Sequence, residues 1–124
     1  MTGVKQFEDL IAWQKARELT RHVYLLSSQG QFAKDYALTD QIRRATISIM
    51  SNIAEGFDRN SPNDFHRFLV IAKASCAEVR SQLYIALDVG YLDENSFQET
   101  MHLTKEVGRL VSGLRVSVER RRSS

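Results

Sequence analysis

The chain is poor in the residues that staple, punctuate or anchor a fold. Its 124 residues contain one cysteine, one proline and six glycines. A lone Cys76 excludes an intramolecular disulfide and the multi-cysteine zinc patterns, and it fits a reducing compartment. No run of 18 apolar residues exists anywhere, and the opening stretch from Met1 to Phe7 holds one lysine without a signal-type apolar core. Membrane spanning and secretion are therefore not expected, and the cytoplasm is the expected location. Strand-like alternation of useful length is also missing. Net charge is only +2, with 43% hydrophobic and 26% charged residues, so disorder has no compositional basis. A chain of this length can bury roughly two-thirds of its unfolded surface as one domain.

What remains is helical periodicity. Phe7, Leu10, Trp13, Ala16, Leu19, Val23 and Leu26 recur at steps of three and four, which sets them on one stripe. Leu38, Ile42, Ala45, Ile49 and Ile53 form another, and Ile47, Met50, Ala54 and Phe57 widen it. That surplus apolar face predicts a neighbouring subunit. Ser61-Pro62-Asn63-Asp64 is a strong helix start, with Ser61 as N-cap and proline in the first turn. Phe65, Phe68, Ala72, Cys76, Val79, Leu83 and Ala86 follow, until Gly90 ends the helix. Asp93 caps a fourth helix, whose Gly108 and Gly113 predict a weak second half. The spacing thus predicts helices over about 7–28, 35–56, 62–89 and 93–120, with stops at Gly30 and Gly56. Short loops make this an all-α, up-down antiparallel four-helix bundle.

Chemistry is hard to find. A di-iron bundle needs two Glu-x-x-His pairs and two more glutamates. Glu99 and His102 make one pair, but His22 and His66 lack the glutamate three residues earlier. Cys76 lies in a core stripe, where a thiol packs and does not react. There is no phosphate-binding glycine loop and no nucleophile elbow. No enzymatic activity, metal or cofactor is expected.

The most unusual segment is Gln41-Ile42-Arg43-Arg44-Ala45-Thr46-Ile47-Ser48-Ile49-Met50-Ser51-Asn52-Ile53-Ala54-Glu55-Gly56. It resembles the Q-I-R-R-A-x-x-S-I-x-S-N-I-A-E-G signature of the four-helix bundle family associated with intervening sequences in 23S ribosomal RNA genes. Phe7-Glu8-Asp9-Leu10 with Trp13-Gln14-Lys15-Ala16 resembles the family's opening. Phe68-Leu69, Ile71-Ala72 and Ala74-Ser75 resemble its third helix. Lys73-Ala74-Ser75 departs from a small-residue pair that often includes glycine, so a different packing of that turn is expected. The resemblance implies a ring-like homopentamer. A similar bundle is the accessory protein of diversity-generating retroelements, which binds a reverse transcriptase and nucleic acid; this is an analogy of fold.

Two readings of the polar residues follow. Arg44, Ser48, Ser51 and Glu55 share a stripe, with Asn52 beside it and Gln41 one turn before Arg44. In the first reading Gln41, Arg43, Arg44, Ile47, Ser48, Asn52 and Glu55 fix register within or between subunits. In the second, Arg43, Arg44, Arg59, Arg67, Arg115, Arg120, Arg121 and Arg122 contact phosphates of RNA or DNA. From Arg109 onward five arginines face one acid, Glu119, and a homo-oligomer would multiply this basic tail (115–124). The aromatics are needed for the core, so sequence-specific reading of single strands is not expected. The functional expectation is a non-catalytic oligomeric bundle that binds structured nucleic acid or an enzyme handling it. The alternative is an oligomeric protein-interaction scaffold without nucleic-acid affinity.

Overall fold

A computed structural model describes residues 3–122; Met1 and Thr2 of the opening stretch and Ser123 and Ser124 of the tail lie outside the described residues. The first turn is not α-helical. Phe7–Asp9 form a 3-10 turn in which the Asp9 carboxylate accepts from the Lys5 and Gln6 amides at 3.2 and 3.3 Å. Leu10 is then extended, at φ −74° and ψ 125°, and α1 runs Ile11–Leu26. The break lets Phe7 fold back edge-on to Trp13, with ring centroids 5.1 Å apart.

Gly30 does not merely end a helix. At φ +56° it opens a short helix α2, Gly30–Lys34, which drives Phe32 into the core against the Tyr91 ring. Helix α3 is Tyr36–Asp58, capped by Asp35, whose carboxylate accepts from the Leu38 amide at 3.1 Å and from the Tyr91 hydroxyl at 2.9 Å. Asn60 turns the chain at φ +53°, and Ser61 caps α4, Pro62–Asp88. Gly90 at φ +82° allows the Tyr91 amide to reach the Ala86 carbonyl at 2.8 Å, the bond that ends a helix in a left-handed turn. Helix α5 is Glu94–Arg122. Its cap is Asp93, held below the usual carboxylate range by the Ser96 amide.

Four long helices form the bundle. Helix α1 packs against α3 and α5, and α4 packs against the same two from the opposite corner. Neighbours are antiparallel, as the cross-contacts show: Thr20 meets Thr46 while Arg43 meets Ser27, and His66 meets Glu119 while Lys73 meets Gly108. Leu19, Ile42, Ile49, Ile53, Leu69, Val79 and Leu83 are almost fully buried along the axis. Thr46, Thr100 and Thr104 are buried without cost to the core, because each hydroxyl donates to a carbonyl one turn back.

Two glycines behave differently from their sequence reading. Gly56 is inside α3, not at its end, and a Cβ there would lie 2.7 Å from Cβ of Phe68. It is the close-approach point of α3 and α4. The second half of α5 stays helical through Arg122 despite Gly108 and Gly113. Val111 and Val118 are fully buried, and burying two valines, at ~1.5–3 kcal/mol each, outweighs two glycines at ~1 kcal/mol each.

Candidate nucleic-acid interface

Because α4 and α5 are antiparallel, the start of α4 lies beside the end of α5. His66 Nε2 is 2.7 Å from a Glu119 carboxylate oxygen, and Arg122 donates to Asn63 Oδ1 at 2.8 Å and to Glu119 at 3.0 Å. Arg59, at the end of α3, and Arg67, in the second turn of α4, both lie over the Phe68 ring, 5.2 and 4.7 Å from its centroid. Arg115 and Arg120 line a hollow beside His66. Arg121 and Lys5 line another, of about 410 Å³, against Asn60 and Pro62. Lys5, Arg59, Arg67, Arg115, Arg120, Arg121 and Arg122 therefore gather at one end of the bundle.

That end is not uncompensated. Arg59 pairs with Glu55 at 2.9 Å, Arg67 with Asp64 at 3.4 Å, and Arg122 with Glu119. These pairs are exposed, each contributing ~0–1 kcal/mol, and phosphates can compete for them.

Arg43 and Arg44 do not belong to this cluster. They lie some fifteen residues from Arg59 along α3, ~22 Å away at the helical rise. Arg43 is a clasp between α3 and α1. Its guanidinium donates to Ser27 Oγ at 2.9 Å, to Ser28 Oγ at 3.1 Å and to the Tyr24 carbonyl at 3.4 Å, and it sits 4.4 Å from the Tyr24 ring centroid. Arg44 is exposed and pairs with Asp40 in its own helix at 2.9 Å.

The remaining motif residues divide similarly. Ser48 Oγ is 2.8 Å from Ser75 Oγ, and the Asn52 amide donates to the Ser48 carbonyl and hydroxyl at 2.7 and 3.0 Å. Ser48, Asn52 and Ser75 thus fix the register of α3 on α4. Ser75 is buried, so the departure at Lys73-Ala74-Ser75 adds a hydrogen bond where a glycine would have none. Glu55 serves Arg59, not Arg44 or Asn52. Gln41 is exposed and borders a polar notch with Asp40, Arg44 and Glu78. At the base of that notch Gln82 is buried with Oε1 unpartnered. Ile47 is 43% exposed, whereas Met50 and Phe57 pack onto the core.

Lys5, Asn63 and His66 were not singled out by sequence reasoning. The signal was available in hairpin arithmetic: with the turn between Asp88 and Glu94, residues of α4 and α5 whose numbers sum to about 181–185 face each other. Asn63 with Arg122 and His66 with Glu119 satisfy this.

The half-formed metal motif does not close. Glu99 and His102 border a groove between α1 and α5 with His22, whose Nε2 lies 2.9 Å from Thr100 Oγ1. Among the described residues no group of three His, Cys, Asp or Glu is placed to hold a metal ion. Burial pushes the Cys76 thiol up to about 11, so it stays protonated at neutral pH. No helix among the described residues is long and apolar enough to cross a membrane.

Comparison with known proteins bears on fold and family. No curated protein matches the chain. A solved structure of a protein of unknown function from the S23 ribosomal protein family of Bacteroides thetaiotaomicron superposes with a TM-score of 0.78. The two share 22% identity, over 85% of this chain and 98% of the other, a likeness that speaks for the fold alone. Residues 8–113, which include the whole Gln41–Gly56 motif and the Ser48–Ser75 register bond, match the family described as 23S rRNA-intervening sequence protein. The chain belongs to the family of 23S rRNA-intervening sequence proteins.

Proposed function

We propose that the protein is a non-catalytic homo-oligomer, a ring-like pentamer, that holds structured RNA or DNA by its phosphate backbone at the basic end of the bundle. The observation that carries this reading is the convergence of Lys5, Arg59, Arg67, Arg115 and Arg120–Arg122 from three separate chain segments. Repeated in each subunit, such an end becomes a multivalent surface for phosphates. Binding of this kind positions a nucleic acid without reading its bases, a role suited to an accessory of a reverse transcriptase or another nucleic-acid enzyme. Assembly is supported by the apolar side chains left on the surface, among them Ile47, Ile71 at 41% exposed and Ile85 at 48%.

One observation favours the scaffold reading instead: Arg44, Arg59, Arg67 and Arg122 each already face a carboxylate. Ending the chain at Glu119 separates the two. That protein lacks Arg120, Arg121 and Arg122 but keeps the buried Val118. In fluorescence anisotropy with a labelled RNA hairpin at low salt, the shortened chain is expected to bind at least tenfold more weakly than the whole chain. Equal affinity would remove the basic end from the binding surface.

A further inference from the structure

The arginines at the bundle end are largely paired, but a second set of cations is not. Helices α4 and α5 enclose a shallow groove of about 520 Å³, bordered by Lys73 and Arg80 from one helix and Lys105 and Arg109 from the other. All four are exposed. None takes part in an ion pair among the described residues, and no carboxylate lines the groove. Lys73 donates one hydrogen bond, to the Gly108 carbonyl at 3.2 Å, and an ammonium has two more to give.

The acids of these two helices nearest the groove point elsewhere. Glu78 borders the notch on the α3 side. Glu106 faces α1, where it lies 3.8 Å from Lys15, and Glu99 lines the same α1 side. Level with the groove, charge is therefore segregated, with negative groups toward the flanking helices and positive groups toward the groove; Glu119, farther along the same seam, is taken up by His66 and Arg122. The buried Cys76 forms part of its floor, with Lys73 three residues before it and Arg80 four residues after it on the same face of α4.

The shape suits a polyanion chain. Ala74 and Ala77 keep part of the groove low, and the Lys73 side chain spans it to reach the Gly108 carbonyl, which sets its ammonium inside the groove. The antiparallel register sets Lys73 near Arg109 and Arg80 near Lys105. The two levels are separated by four residues on α5 and seven on α4, ~6–10 Å at the helical rise. At a rise of 3.4 Å per nucleotide on one strand, that is about two to three stacked nucleotides. Arginine offers a planar fork to a phosphate, and each level holds one arginine and one lysine. No aromatic ring lines the groove, so bases have nothing to stack on.

We infer that the α4/α5 groove is a second nucleic-acid contact, in which Lys73 and Arg109 at one level and Arg80 and Lys105 at the next bind phosphates of one strand. The inference rests on the reading of the protein as a nucleic-acid binder and moves much of the contact from the helix ends to the bundle flank. The spacing of the two levels, which matches stacked nucleotides, favours a phosphodiester chain over an acidic peptide.

The test is anisotropy of a fluorescein-labelled RNA hairpin, and of the matching DNA hairpin, across a salt series. It compares the whole chain, the K73Q/R80Q/K105Q/R109Q variant, the chain ending at Glu119 and the R80K/R109K variant. The four substituted side chains are exposed, so the helical circular dichroism should be unchanged. If the quadruple variant does not fold, K73Q/R109Q and R80Q/K105Q each remove one level. The quadruple variant is expected to bind at least tenfold more weakly. Its salt slope should be shallower by roughly 3, because each phosphate left without its cation takes away about 0.7–0.9 of slope. R80K/R109K should retain most of the affinity. Weaker binding by the quadruple variant with full binding by the shortened chain would support the groove and overturn the basic end. Weaker binding by the shortened chain alone would overturn the groove and leave the basic end standing. No binding by the whole chain at low salt would overturn both. Polyglutamate displacing the hairpin as well as unlabelled RNA does would overturn the assignment to a phosphodiester strand.

Discussion

Gly56→Ala is expected to destabilise the bundle by about 1–2 kcal/mol, although alanine is the better helix former. The added Cβ would sit 2.7 Å from Cβ of Phe68 and 3.1 Å from Cδ1 of Phe65. Phe68 Cβ is fixed to the α4 backbone and cannot swing aside, so the helices must separate. Overpacking costs ~1–3 kcal/mol, and a clash with a backbone-fixed Cβ falls in the upper part of that range, about 2–3 kcal/mol, of which the gain in helix propensity offsets ~1 kcal/mol. Gly113→Ala is the control. It is exposed in α5 with nothing within 4 Å of a Cβ, so the same substitution should stabilise by up to ~1 kcal/mol. Urea midpoints of the two variants should move in opposite directions. A neutral or stabilising Gly56→Ala would show that α3 and α4 do not pack at that point.

Ile47→Asp should leave the protomer folded and dissolve the proposed pentamer. The side chain is 43% exposed in the protomer, so the carboxylate remains in water there and the cost is small. Buried against a neighbouring subunit the same charge would lack a partner, at several kcal/mol per interface. Multi-angle light scattering should then report the 14.2 kDa protomer in place of a pentamer. An assembly of unchanged mass would mean that subunits meet elsewhere, with the exposed Ile71 and Ile85 of α4 and Val89 just beyond its end as the next face to test.

Much of the fold was legible because it is written in local chemistry. Ser61 and Asp93 are caps whose side chains accept from amides a few residues on, and such bonds need no knowledge of the rest of the molecule. Gly90 ends α4 for an equally local reason. The readings that changed depend on distant partners. Gly56 has the sequence position of a helix stop, yet it is required by Phe65 and Phe68 across the bundle. Gly30 announces a break but not the short helix beyond it, which exists because Phe32 finds a buried site against Tyr91. The extended Leu10 is likewise fixed by the packing of Phe7 on Trp13.

The candidate site was less legible than the fold for the same reason. Counting arginines cannot separate Arg43, which is consumed by Ser27, Ser28 and Tyr24, from its neighbour Arg44, which is not. Adjacent residues on a helix point about 100° apart, and only the position of α1 decides which of them is a clasp. Nor can composition show that Glu78 and Glu106 turn away from Lys73, Arg80, Lys105 and Arg109. These helices look electrically mixed in sequence, and the bundle sorts their charges by face.

The salt dependence of nucleic-acid binding by the unmodified protein tests the central claim most directly. Anisotropy of a labelled RNA hairpin would be followed from about 50 to 200 mM monovalent salt, and log affinity plotted against log salt. A linear fall with a slope steeper than about −3 is predicted, since the proposed surface releases counterions from several phosphates at once. Absence of binding at the lowest salt, or an affinity indifferent to salt, would contradict the account and leave a scaffold for protein partners.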